Sequence, residues 1–231
     1  GSRDNTRRPF AWTNTPENSH GFSSSKPWIV PHSFANEINY VIIDGASTDG
    51  SVDVIKKYED YIDYWVSEPD NGIFNAMNKS LSHLKCDYVL FLNSGDYLAS
   101  ETIIERSMEY LGKHDIVYGN IITFKDTGYF IQKREINYCK EKLDESFFRR
   151  TAMPHQSTFI RTSYHKEHPY DDTFKIAGDW KFLREAIMKD KCTYSTIPFA
   201  ISFYGLDGVS SMNPAKALQE RRDYYKKEFP T

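Results

Sequence analysis

The chain has 231 residues, of which 39% are hydrophobic and 26% charged, enough apolar material for one sizeable core and cramped for two full domains. A formal net charge of −3 gives no overall basic field, which argues against a nucleic-acid partner. Cys86, Cys139 and Cys192 are widely spaced and odd in number, so neither a disulfide framework nor a thiolate zinc site is indicated. No apolar run nears the roughly 18 residues that span a bilayer, and a cytoplasmic chain is expected, at most peripheral to the inner face of a membrane.

Residues 1–36 are rich in Ser, Asn, Pro and Arg and show neither period, which predicts an irregular N-terminal segment. From residue 37 to residue 231 one domain is expected. Tyr40 to Ile43 is a continuous apolar run ending at Asp44, the mark of a strand buried on both faces. Thr48 or Asp49 is placed to cap a helix through Tyr58. Tyr61 to Val66 reads as a second strand, and Ile73, Met77, Leu81 and Leu84 fall at helical spacing after the turn Asp70-Asn71-Gly72. Tyr88 to Leu92 reads as a third buried strand closed by Asn93-Ser94-Gly95-Asp96, followed by a helix over Glu101 to Leu111 and a strand at Ile116 to Tyr118. This alternation predicts an α/β fold with a largely parallel N-terminal half. After Gly119 the period becomes two, with a hairpin around residues 125–128, a strand at Ser157 to Arg161, a helix from Asp179 to Lys189, extended chain from Tyr194 to Phe203 and a last helix opened by Pro214, so the C-terminal half is mixed.

In open α/β sheets ligands bind beyond the carboxyl ends of the strands. Three acidic turns lie at such ends: Asp44, then Glu68 and Asp70, then Asp96. Neither GxGxxG nor GxxxxGK[ST] is present, so a nucleotide would be held by base contacts and a bridging metal; oxygen-only turns suit Mg2+ or Mn2+ rather than zinc. Asp44 and Asp96 could equally be turn aspartates that bond their own backbone.

DGASTDGS after a buried strand, SEPDNGIFNAMNKSL opening a helix, FLNSGD after another strand, MPHQSTFI and IAGDWKFL, in that order, resemble glycosyltransferase family two in its bacterial polysaccharide-assembly branch. The likeness runs from Glu37 to at least Leu183, about two thirds of the chain. It implies a GT-A fold, a nucleotide-binding half joined to an acceptor-binding half. It further implies that Asp44 contacts the nucleotide base with Ser47 and Asp49 shaping the turn. Asp70, Asn75 and Asn78 would lie along the donor, although many relatives carry an acid at the place of Asn75. Asn93 to Asp96 occupies the place of the DxD motif, with Asp96 as the carboxylate for Mn2+ or Mg2+ and Asn93 as a weaker partner. His155, Gln156 and Trp180 would line the acceptor or diphosphate side, and Asp179 sits where the catalytic base sits. Relatives begin with a buried strand that residues 1–36 do not spell out.

The resemblance therefore implies a metal-dependent, inverting transfer from a nucleoside-diphosphate sugar, a UDP-sugar first, to a glycan or lipid-linked acceptor. The alternatives stay open at this point: a domain that binds nucleotide or glycan without turnover, or another nucleotide enzyme. Asp179 could be a helix cap, His155 a buried structural histidine and Trp180 a core residue. The basic and aromatic last helix could be a solvated face or a peripheral membrane contact, and a homo-oligomer is also open.

Overall fold

The computed structural model describes residues 38–126, 131–139, 142–206 and 208–230. The expectation for residues 1–36 falls outside them. Strand β1 (Val41–Asp44) pairs in parallel with β2 (Tyr64–Ser67), in register from Val41 opposite Tyr64 to Asp44 opposite Ser67. Between them runs helix α1 (Ser51–Lys57), whose N-cap is Gly50 at φ 90 rather than Thr48 or Asp49. Asp49 instead accepts the Ser51 amide and hydroxyl at 3.1 and 2.6 Å, an Asx-type turn ahead of the helix. Helix α2 (Ile73–Ser80) follows, with Phe74, Met77 and Ser80 inward at the spacing of one helix face.

The larger sheet has six strands in the order β3-β7-β5-β8-β4, with β6 also on β5. Here β3 is Tyr88–Val89, β4 Tyr97–Leu98, β5 Ile116–Asp126, β6 Ile131–Ile136, β7 Thr158–Arg161 and β8 Tyr194–Gly205. The long β5 serves two partners on one edge, β7 against residues 116–118 and β6 against residues 121–126, and runs parallel to β8 on the other. The segment Tyr88–Leu92, expected beside the parallel pair, narrows to two paired residues and lies antiparallel on β7.

The β5–β8 register slips around Gly119, where an added Cβ would lie 2.7 Å from the Phe199 carbonyl and 2.6 Å from Ile201, so only glycine lets the strands approach there. The slip accommodates Pro198, which has no N–H to give to a ladder.

Alternation along β5 splits the core between the sheet's two faces. Ile116 and Tyr118 join Val89, Ile160, Trp180 and Leu183 on one, and Val117 joins Phe159, Ile197, Ile201 and Ile103 on the other. Helix α6 (Gly178–Met188) closes the first face with Trp180, Leu183 and Ile187 buried at helical spacing. The short helices α3 (Ile103–Met108), α4 (Glu145–Arg150) and α5 (Thr162–Glu167) complete the packing, and α7 (Val209–Met212) leads to α8 (Pro214–Glu228).

Candidate active site

Two carboxylates from distant parts of the sequence meet through one short turn. Pro154, with no N–H and extended ψ, opens a 3-10 turn over His155–Ser157 that leads into β7 and buries both His155 and Gln156. His155 Nδ1 lies 2.8 Å from Asp179 Oδ2, and its Nε2 lies 2.9 Å from the Asn93 side-chain amide nitrogen. Because that amide nitrogen only donates, Nε2 accepts and Nδ1 carries the proton toward Asp179. Gln156 donates to Asp96 Oδ2 at 2.9 Å, and the Gly205 amide donates to Asp96 Oδ1 at 3.2 Å. Adjacent side chains on one turn thus hold Asp179 and Asp96.

Burial pushes the Asp96 carboxyl up to about 6, against the opposing effect of the Gln156 bond and the nearby His155. Asp179 is the second residue of α6, not its cap. Its Oδ1 accepts the Trp180 amide at 2.7 Å, and its side chain keeps 16% exposure, enough to meet a ligand. The amides that precede α6 are satisfied by Glu220 of α8, whose carboxylate accepts from Lys175, Ile176 and Ala177 at 2.8 to 3.0 Å. No motif announces Glu220; it lies more than forty residues from the amides it holds.

A second group forms at the ends of β1 and β2. Asp44 Oδ2 accepts the Ser47 amide at 2.9 Å and the Ser67 hydroxyl at 2.6 Å, so the turn reading describes its protein contacts. Asp70 Oδ1 accepts the Gly72 amide at 2.8 Å, while its Oδ2 would lie 2.4 Å from a Cβ on Gly45. Gly45 is therefore what lets the two acidic turns converge.

Helix α2 links the groups. Asn75 donates to Asp172 at 3.2 Å, and Asn78 makes a two-way amide pair with the Tyr170 backbone at 2.8 and 2.9 Å. A Cβ on Gly178 would come within 2.7 Å of the Phe74 ring, so glycine before Asp179 brings α6 against α2. Neither glycine stands out in the sequence, though DGAS and AGDW contain them.

Trp180, expected on the acceptor side, is fully buried and donates its indole N–H to the Phe148 carbonyl at 2.9 Å. It is a core residue, with no face left for a sugar. The last helix is not a free basic stripe. Tyr224 is buried, its hydroxyl meets Arg184 at 2.9 Å, and Tyr225 packs on Trp180; Lys216, Arg222, Lys226 and Lys227 remain exposed.

No group of three or more His, Cys, Asp or Glu gathers to cage an ion among the described residues. The half-buried carboxylate of Asp96 would suit Mg2+ or Mn2+, which keeps waters and shares oxygens with a substrate diphosphate rather than requiring a protein cage. No helix among the described residues is long and apolar enough to cross a membrane.

The chain is 28% identical over 187 residues to an uncharacterized glycosyltransferase of Mycobacterium tuberculosis, MT1564, an alignment covering 80% of this chain and 70% of that one. It is 26% identical to a PGL/p-HBAD biosynthesis glycosyltransferase of Mycobacterium bovis over 63% of this chain and 57% of that protein. Among solved structures, S. aureus TarS 1-349 in complex with UDP-GlcNAc superposes with a TM-score of 0.57 at 20% identity over 74% of this chain. The mannosyltransferase PcManGT from Pyrobaculum calidifontis, in complex with GDP-Man and Mn2+, superposes with a TM-score of 0.51 at 13% identity over 74% of this chain. The chain spans about half the length of these two structures, 50% and 48%, and the likeness establishes the GT-A-type fold. Glycosyl transferase family 2 matches residues 31–188, more than half of the sequence, and the chain belongs to that family.

Proposed function

We propose that the protein transfers a sugar, with inversion, from a nucleoside diphosphate, uridine diphosphate first, to a hydroxyl of a glycan or lipid-linked saccharide. The observation that carries this is the His155-Gln156 turn, whose adjacent side chains hold Asp179 and Asp96. Asp179 takes the proton of the acceptor hydroxyl as that oxygen bonds to the anomeric carbon and the bond from carbon to diphosphate breaks. The Nδ1–H of His155 orients the carboxylate and leaves it lone pairs for that proton. One base and no second carboxylate nucleophile correspond to direct displacement. Asp96 would hold Mn2+ or Mg2+, whose chemistry when bound is to offset charge on the departing diphosphate.

On the donor side Asp44, braced by Ser47 and Ser67, meets the base. Asp70, Asn75 and Asn78 form the wall along the sugar nucleotide, with Asn93 beside the diphosphate. TarS with UDP-GlcNAc supports a uridine donor, and PcManGT with Mn2+ supports a divalent ion. Residues 37–231 act as one unit in this reading. A lipid-linked acceptor would bring the exposed Lys216, Lys226 and Lys227 to the inner membrane face.

The test is calorimetric binding of uridine, guanosine, thymidine and cytidine diphosphates with and without Mn2+, together with donor turnover in Asp179→Asn. Ion-dependent binding of one nucleotide, kept in the variant while turnover drops by about two to four orders of magnitude, is expected. Binding unchanged by a chelator, or turnover unchanged in the variant, counts against the assignment. A second reading, a nucleotide-binding domain without turnover, draws on β1 and β2, which pair only with each other among the described residues. It predicts binding with no turnover in the parent protein.

A further inference from the structure

The structure assigns Arg221 to phosphate binding beside the helix start that carries Asp179. This deepens the transferase reading and rests on its placement of Asp179. Arg221 lies on α8 with its guanidinium 5.3 Å from the centre of the Trp180 ring, next to the helix start that carries Asp179. Its Nε is buried without a hydrogen-bond partner among the described residues.

Other cations of this region are spent. Arg184 forks onto Glu145 and meets Tyr224, and Lys189 pairs with Glu185 and Glu228. Arg221 has no such carboxylate contact among the described residues. Burial disfavours its charge, and the principal opposing influence is the Asp179 carboxylate. A half-buried guanidinium, with no carboxylate in contact among the described residues, is complementary to phosphate oxygens.

Glu220, the preceding residue, accepts three consecutive amides of residues 175–177, the segment that turns into Asp179. The same bonds tie the start of α6 to the part of α8 that carries Arg221. The phosphate has two sources, the donor diphosphate or a phosphate on the acceptor.

The test is titration calorimetry with inorganic pyrophosphate and with UDP, both with Mn2+, on the parent protein, Arg221→Gln, Arg221→Lys and Arg222→Gln. Arg222 is exposed, so its variant controls for net charge. Arg221→Gln is expected to weaken pyrophosphate binding by roughly tenfold or more, Arg221→Lys by less because it keeps charge but loses the fork, and Arg222→Gln not at all. A parallel loss for UDP identifies the donor diphosphate as the source. Unchanged UDP affinity, with pyrophosphate still bound in the presence of UDP, identifies the acceptor.

A parent protein that binds pyrophosphate but no nucleoside diphosphate sinks the donor assignment and leaves Arg221 standing as an acceptor-phosphate site. Parental affinity for both ligands in Arg221→Gln overturns the inference, as does a parent protein that binds neither. Should Arg221→Gln fail to fold, parental affinity in Arg221→Lys has the same force.

Discussion

Asp96→Asn should alter how stability depends on pH. Burial raises the Asp96 carboxyl from 3.8 to about 6, so between those values the folded protein holds a proton that the unfolded chain has released. The stabilisation is present in full below 3.8 and is lost as pH rises through about 6, opposite in sign to that of a salt-bridged carboxylate. At about 1.36 kcal/mol per pH unit the whole window is worth about 3 kcal/mol, of which about 2 kcal/mol falls between about pH 4.5 and about pH 7.5. Asparagine keeps an acceptor for Gln156 or the Gly205 amide and exchanges no proton. Urea unfolding of both proteins at the two pH values is the assay. The parent is expected to gain about 2 kcal/mol relative to the variant at the lower pH. A difference that stays constant to within about 0.5 kcal/mol would refute the claim that burial of this carboxylate costs the folded state.

Two glycines separate packing from binding. Gly178→Ala forces a Cβ against the buried Phe74 ring at 2.7 Å, and a loss of about 1–3 kcal/mol is expected by thermal or urea unfolding. Gly45→Ala meets only the carboxylate end of Asp70, which can swing away, so stability should change by less than about 1 kcal/mol. Nucleoside diphosphate affinity should nevertheless fall in Gly45→Ala, because the two acidic turns can no longer converge; calorimetry reads it, and an unchanged affinity would place the donor elsewhere.

What the sequence shows is what local chemistry dictates. The α6 spacing is readable because period and burial coincide in it, and the β5–β6 hairpin from alternation alone; Val41 to Ile43 of β1, expected to be buried on both faces, are only half-buried, and Ile73 of α2 is exposed. The helix over Glu145–Arg150 was not anticipated, because six residues carry too little period; Asp144 caps it through the Phe147 amide, and Phe147 and Phe148 are fully buried. Sheet order was not readable either, since β3 takes its place through pairing with β7, more than seventy residues away.

The site divides the same way. MPHQS and NSGD point to His155, Gln156 and Asp96 as residue types at turns, whereas the bonds from Gln156 to Asp96 and from His155 to Asp179 are tertiary. Trp180 looks like a sugar platform only until the packing of α6 on the sheet is known.

Asn93→Asp separates the role of charge from the role of the hydrogen-bond chain. By composition the substitution adds a second carboxylate to the 93–96 turn and should strengthen any hold on a divalent ion. By geometry it replaces the donor that His155 Nε2 accepts at 2.9 Å with an acceptor. Two acceptors face each other there unless the imidazole takes up a proton, and an imidazolium between two carboxylates is electrostatically favoured. That charge would then sit 2.8 Å from Asp179 Oδ2 and make Asp179 a weaker base. Turnover is therefore expected to fall several-fold in Asn93→Asp even if affinity for Mn2+ rises, with the ring-nitrogen NMR signals of His155 reporting the added proton. An increase in turnover would mean that the Asn93–His155–Asp179 chain does not set the basicity of Asp179, and that the turn acts through charge alone.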